Sequence, residues 1–385
     1  MGRVVITHEA LRGLATAEAR RLVISVHART DPRDPANIGT SPGWLIALRN
    51  GLSAAGKRLE AGDDREARLA FRTLRRPIEQ GFTDLSPIGR ARSVTWILDP
   101  DGDSQRYSLQ LPLRGDKVVA DTKPYISPLV DVADRGARTG VILVSGELVR
   151  LVQIEQAEAS EPPDSTYELS LGDWRPFGGS AGGSPARGLQ STAHEERYRA
   201  RVEAQRDQLF ETAARQTGKR LEALGWERIV LVSETQVVSR FREALPPEVA
   251  ERVIAESDSN LAGEEPAAIA DAIEPLIEEA WQTRSNALVE LARDRARAGG
   301  PATIGAQETF GALTEGRVEH LILDPDRDLS TTGSIVPPLI EGRSELLGER
   351  AVEAAIATSA QVTAVSAVTS PVLAELGGIA ALLRY

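Results

Sequence analysis

With 385 residues, 41% of them hydrophobic and 26% charged, the chain has a globular composition and a length that predicts two or three domains. It contains no cysteine, which excludes disulfides, thiolate catalysis and thiolate-bound zinc or iron–sulfur centres. A net charge of −11 argues against a general nucleic-acid coat and leaves room for a local basic patch.

The N-terminus, MGRVVITHEALRG, has no apolar core of the signal-peptide kind, and Ile6 stands where a myristoylation site requires Ser or Thr. No apolar run approaches the roughly 18 residues of a bilayer span, so a cytoplasmic protein without membrane partners is expected. RLVISVHA (21–28) reads as a strand, followed by a Pro/Gly/Asp loop over 31–43. Leu45, Leu48, Leu52, Ala55 and Leu59 then recur at helical spacing. A second helix is predicted over 63–80, with Asp63 or Asp64 as N-cap. It is rich in arginine (Arg65, Arg68, Arg72, Arg75, Arg76), which suits either a solvated face or a surface that meets phosphates. SVTWILD (93–99) and RYSLQLPL (106–113), joined by PDGDS, predict a hairpin. These elements make a mixed α+β domain over 1–138.

TGVILVS and LVRLVQIEQ predict another hairpin, turning at Gly146-Glu147. The glycine-rich stretch WRPFGGSAGGSPARGLQ (174–190) cannot pack a core and reads as an excursion. A long helix is predicted from about Thr192 to Leu224, with an apolar stripe of Tyr198, Val202, Leu209, Ala213 and Leu221. RIVLVS (228–233) has the pattern of a fully buried strand, and ETQVVSRFREAL and PEVAERVIAES read as helices. This α/β domain spans 139–260, with its tip loop at 174–190.

The acidic linker DSNLAGEEP (258–266) opens a third domain, 261–385. It begins with one helix over 267–298 and then alternates: helix and strand in QETFGALTEGRVEHLILDPD, a helix in ERAVEAAIATSA, a strand in QVTAVSA, a short helix in SPVLAELGG and a closing strand in IAALLRY. Alternation of this kind predicts an α/β/α sandwich, and the chain as a whole is of the α/β class.

The chemical motifs are sparse. GGSAG (178–182) has the form of a nucleophile elbow but lacks the strand before it and the helix directly after it. DPDGDS (99–104) resembles the start of a calcium loop, yet Gln110 stands where the bidentate Glu belongs, so a turn is expected and no metal. His8, His27, His194 and His320 are scattered, and Tyr198 stands where a zinc helix starting at His194 needs its second histidine. Neither phosphate-binding glycine motif is present, and no cofactor is expected. Arg197, Arg199, Arg201 and Arg206 alternate with Glu195, Glu196, Glu203 and Asp207 along the long helix, and Arg187 lies just before it. Helix ion pairs on a solvated face explain that pattern, and so does an RNA-facing surface.

In this order, the hairpin, exposed loop, long charged helix and buried strand resemble the middle domain of the archaeal–eukaryotic class-one release factor superfamily, which includes the Pelota rescue factors. FGALTEGRVEHLILD and the terminal GGIAALLRY resemble the superfamily's third domain. LVISVHARTDP and TKPYISPLVDV are similar to the N-terminal regions of bacterial members, among them the Balon-type ribosome hibernation factors. The resemblance implies an RNase-H-like middle domain and a ribosomal-protein-like third domain. Its catalytic Gly-Gly-Gln tip falls on RGLQS (187–191): Gly188 matches the first glycine, Gln190 the glutamine, and Leu189 replaces the second glycine. In a left-handed tip conformation Leu189 would cost roughly 1–2 kcal/mol. The codon-reading Asn-Ile-Lys-Ser signature is missing, since ANIGT (36–40) has Gly39 where Lys is needed.

The resemblance thus implies a hibernation-like translation factor that occupies the ribosomal A site beside rRNA and P-site tRNA, without stop-codon reading. A translational GTPase, with elongation factor Tu the bacterial candidate, is the implied partner of the third domain. Peptidyl-tRNA hydrolysis for ribosome rescue through Gln190 and Gly188 is the enzymatic alternative. An RNA- or protein-binding adaptor is the third.

Overall fold

The computed structural model describes residues 5–83, 91–100, 104–169, 185–327, 329, 346–365 and 371–385, with the backbone alone at 83, 185–196 and 235–236. The chain forms two compact units, Met1–Gly136 together with Trp281–Tyr385, and Ala137–Ala280.

The first unit opens with α1 (His8–Ala15), capped by the Thr7 hydroxyl, which accepts from the Ala10 amide at 3.1 Å. β1 (Val23–Ala28) is buried along its whole length because it lies inside a sheet. α2 (Gly43–Ala61) buries the expected Leu45, Leu48, Leu52 and Ala55. α3 (Arg65–Thr83) starts where Asp64 accepts from the Glu66 and Ala67 amides, both at 2.9 Å. β2 (Ser93–Leu98) and β3 (Gln105–Leu109) form the expected hairpin, Ile97 opposite Gln105, with turn residues 101–103 outside the described residues. β4 (Lys117–Asp121) completes an antiparallel sheet of order β3-β2-β1-β4, and α4 (Ser127–Arg135) follows. Leu48 and Leu52 of α2 and Phe71, Ile78 and Phe82 of α3 bury against Ile24 and Val26 of β1, so the two helices form one layer on this sheet.

The second unit carries β5 (Thr139–Val144), β6 (Leu148–Glu155), β7 (Glu158–Ser160), β8 (Thr166–Glu168), the 40-residue α5 (Pro185–Leu224), β9 (Arg228–Val232), α6 (Thr235–Ala244), α7 (Pro247–Ala250), β10 (Val253–Ser257) and the first part of α8 (Pro266–Arg297). Its sheet runs β10-β9-β5-β6-β7, with β8 paired to β6. β5 and β6 are antiparallel, while β9 lies parallel to β5 and β10 parallel to β9. An antiparallel meander extended by two parallel strands is the RNase-H-like order. β5 and β9 are fully buried because successive side chains serve opposite cores. Ile142, Ile229 and Leu231 face Phe210, Phe241 and their neighbours on α5 and α6. Val141, Leu143, Val230 and Val232 face Ile269 and Ile273 of α8.

The chain then returns to the first unit. β11 (Ala302–Ile304), α9 (Ala306–Thr314), β12 (Val318–Leu323), α10 (Leu347–Ala357), β13 (Gln361–Ala364), α11 (Pro371–Glu375) and β14 (Ile379–Leu383) build a sheet of order β11-β14-β12-β13. Val289 and Ala292 of α8 and Leu373 of α11 cover the face of Ile322, Ala380 and Leu382. α9 and α10 pack on β14 and β12, and Gly348 of α10 sits over Leu323. This is the expected α/β/α sandwich.

The structure revises the sequence reading at these points of the fold. PEVAERVIAES is helical only over Pro247–Ala250, and its Val253-Ile254-Ala255 run forms edge strand β10 beside β9. The middle unit runs to Ala280 instead of 260, because Ile269, Ala270 and Ile273 fill its core. The segments 1–138 and 261–385 fall in one unit: α1 packs on α10 and α4 on β13.

Candidate functional site

α5 divides into two halves of different character. Leu209, Phe210, Ala213, Ala214, Leu221 and Leu224 are buried, a stripe that holds the C-terminal half on the sheet. From Arg197 to Gln208 no side chain is buried, and the expected Tyr198 and Val202 are half-exposed. This stretch extends about 18 Å along the helix axis. A helical stretch with no buried side chain faces solvent or a partner. Arg197, Arg199 and Arg201 are exposed on it. Arg206 is half-buried, and its Nε donates to the Gly146 carbonyl at 2.9 Å, so it ties α5 to the β5–β6 turn. Asp207 pairs with Arg240 at 2.7 Å and ties α5 to α6.

The helix begins at Pro185, earlier than the expected Thr192. Gly188, Leu189 and Gln190 therefore lie in its first turns and not in a loop, and the left-handed tip considered for Leu189 is not adopted. Leucine in place of glycine favours a helix by somewhat under about 1 kcal/mol, so Leu189 promotes this early start. The Arg187 and Gln190 side chains, the GGSAG segment and loop residues 170–184 lie outside what the structure describes.

A second basic surface lies between α2 and α3. A groove of about 290 Å³ is lined by Ser53, Gly56, Lys57, Leu59, Glu60, Arg68, Phe71, Arg72 and Arg75. Arg72 pairs with Glu60 at 3.3 Å, both exposed, and Arg75 with the half-buried Glu79 at 3.2 Å. The Arg68 guanidinium donates to the carbonyls of Glu60 (3.4 Å) and Gly62 (3.3 Å) at the end of α2. Of the α3 arginines singled out in the sequence, Arg68, Arg72 and Arg75 line this groove, whereas Arg65 and Arg76 are exposed outside it. Lys57 was missed, because its membership depends on how α2 packs beside α3.

Inside the first unit, buried polar chains join its two chain segments. Glu349 of α10 accepts from the Ile126 amide, from the Ser127 amide at 3.2 Å and from the Ser127 hydroxyl, so it caps α4 in place of a local N-cap residue. Burial pushes its carboxyl up to about 7, against the pull of those donors. Arg350 pairs with Asp121 and Glu353, and Lys123 with Glu353 at 3.7 Å. The Thr363 hydroxyl donates to Asp134 at 3.0 Å and accepts from His320 Nε2–H at 2.9 Å, while Trp281 Nε1–H also donates to Asp134 at 2.9 Å. His27 Nε2–H donates to the Tyr125 carbonyl at 3.1 Å, and Nδ1 accepts from Thr95 at 2.9 Å. Burial lowers His27 to about 3 and His320 to about 4, so both are neutral packing groups rather than acids or bases near pH 7. Among the described residues no cluster of three metal-ligating side chains occurs, and no helix is long and apolar enough to cross a membrane.

Residues 124–278, from α4 into α8, match the family model for bacterial archaeo-eukaryotic release factor family 10. The uncharacterized protein YocB of Bacillus subtilis (strain 168) is 22% identical over 222 residues, 56% of this chain and 78% of that one. Among solved structures, Archaeoglobus fulgidus Pelota is 13% identical with a TM-score of 0.36, covering 76% of this chain and 79% of that one. A model of ribosome-bound archaeal Pelota with ABCE1 is also 13% identical, with a TM-score of 0.42, covering 99% and 95%.

Proposed function

We propose that this chain, a bacterial archaeo-eukaryotic release-factor-like protein, is a ribosome-associated translation factor that occupies the A site of idle or stalled ribosomes and makes or breaks no bond. One observation carries the reading. An unburied, arginine-bearing half-helix extends from an RNase-H-like sheet, and its first turns hold Gly188-Leu189-Gln190 where the superfamily has a Gly-Gly-Gln tip. A helical backbone removes the freedom that a glycine tip uses to aim its glutamine at an ester. The arginines suit rRNA phosphates, and the missing Asn-Ile-Lys-Ser signature removes codon reading. The reading includes a translational GTPase such as elongation factor Tu as a partner of the C-terminal sandwich.

Sedimentation of ribosomes from starved cells is expected to carry the protein into the ribosome fractions, and its persistent absence there sinks the reading. Changing Arg197, Arg199 and Arg201 together to glutamate should weaken this association at least about tenfold at moderate salt, because three cations leave a phosphate-facing surface.

The presence of Gln190 supports one second reading, peptidyl-tRNA hydrolysis with Gln190 orienting water. A release assay on stalled complexes separates the two. No release above background is expected. A release rate that Gln190→Ala abolishes would establish the hydrolase instead.

A further inference from the structure

We infer that the groove between α2 and α3 is a separate binding site for the phosphate backbone of structured RNA. α2 and α3 together hold eight basic side chains and three acidic ones, in a protein whose net charge is −11. Four of those basic side chains and one carboxylate, Glu60, line the groove, and a local excess of this kind on an otherwise acidic chain attracts polyanions there. The groove has cations on both walls: Lys57 from α2, and Arg68, Arg72 and Arg75 from α3. The three arginines are spaced i, i+4, i+7, so they follow one another at steps of about 6 and 4.5 Å along one helix face. That is a ladder on which successive phosphates of one strand can be held.

The walls are prepared for exchange. Arg68 is fixed by two backbone carbonyls and keeps a preset direction. Arg72 and Arg75 rest on Glu60 and Glu79, in solvent-reached and therefore weak pairs, so phosphate oxygens can replace those carboxylates at small cost. The floor is Gly56 against Phe71, a ring that is 3% exposed. It therefore offers little apolar anchorage, and a phosphate chain fits the groove better than an acidic peptide does. The site extends the ribosome reading to a second surface and needs no ribosome for its test.

The test is fluorescence anisotropy of the full chain with a short labelled RNA duplex over a salt series. Lys57→Ala, Arg72→Ala and Arg75→Ala combined should weaken binding about tenfold or more and flatten the slope of log K against log salt by about 2 to 3. Glu60→Gln should tighten binding about threefold, because it frees Arg72. Arg76→Ala, which lies outside the groove, should change affinity less than about twofold. Far-UV circular dichroism of each variant checks that α2 and α3 remain folded. The inference is overturned if the wild-type chain binds no duplex, if the triple variant binds like wild type, if Arg76→Ala weakens binding as much as the triple change, or if an acidic peptide competes as well as RNA. Duplex binding that persists in a chain absent from ribosome fractions supports the groove and sinks only the ribosome reading.

Discussion

Trp226→Ala is expected to destabilise the middle unit by about 3–5 kcal/mol, among the largest effects of any single change in the chain. Trp226 follows Gly225, whose φ of 62° ends α5 in a left-handed turn just before the chain enters β9. The Trp226 ring is fully buried, its Nε1–H donates to Gln153 at 3.2 Å, and it lies against Gly140 of β5. A β-carbon at Gly140 would stand 2.0 Å from Trp226 Cε3. A rigid buried ring cannot withdraw, so Gly140→Val overpacks the site and costs about 3 kcal/mol or more. The two changes should compensate, since the valine enters the space that the indole leaves. Hydrogen exchange of β5 and β9 amides in the full chain reads the effect. The double variant is expected to be more stable than the sum of the single losses by at least about 1 kcal/mol. Strict additivity would show that the ring and the glycine do not share one space.

Much of this core was legible, because it rests on local pattern. RIVLVS had the unbroken apolar run of a strand between two cores, and β9 is that strand. The leucines of α2 fell at helical spacing, and the same residues are buried. Failures occurred where burial is decided at a distance. Tyr198 and Val202 continue the periodic stripe of α5, but a side chain is buried only as far as the sheet reaches, and that limit lies near Leu209. Val253-Ile254-Ala255 looked helical in its local setting, and only the open edge of β9 makes it a strand. The three-residue strands β7, β8 and β11 are too short to show any period. The basic surfaces were half legible for the same reason. The arginine ladder of α3 can be read from spacing within one helix, whereas Lys57 joins it only through the packing of α2. Glu349 gave no signal at all, since the amides it caps are more than 200 positions away in sequence.

That carboxylate underlies the second large effect, a loss of stability in the first unit as pH rises through neutrality. The carboxyl of Glu349 titrates at about 7 in the folded chain and at 4.5 without its surroundings. Between these values the folded state keeps a proton that the unfolded state has released. Stability from this group is therefore full below about 4.5 and is lost as pH climbs through 7, by about 3 kcal/mol in all. The protonated form fits its site: one oxygen still accepts from Ile126, and the acid O–H can donate to the Ser127 hydroxyl, which turns to accept it. Glu353, 7% exposed and also raised by burial, adds repulsion and a second contribution of the same sign. His27 and His320 act with the opposite sign, because their lowered values give stability that is present above 6.5 and is lost as pH falls. A comparison of wild type with Glu349→Gln cancels the histidines. The glutamine mimics the protonated acid, so the two chains should match near pH 4, and the variant should be more stable by about 2–3 kcal/mol at pH 8. A difference independent of pH would mean that Glu349 ionises normally. Glu349→Ala orphans the buried amides of Ile126 and Ser127 and should cost about 1–3 kcal/mol near pH 4, a cost that shrinks by about 3 kcal/mol by pH 8 as the wild-type carboxyl ionises. A glutamine that stabilises at pH 8 beside an alanine that destabilises at pH 4 would identify Glu349 as a hold between α10 and α4 that weakens as its proton leaves.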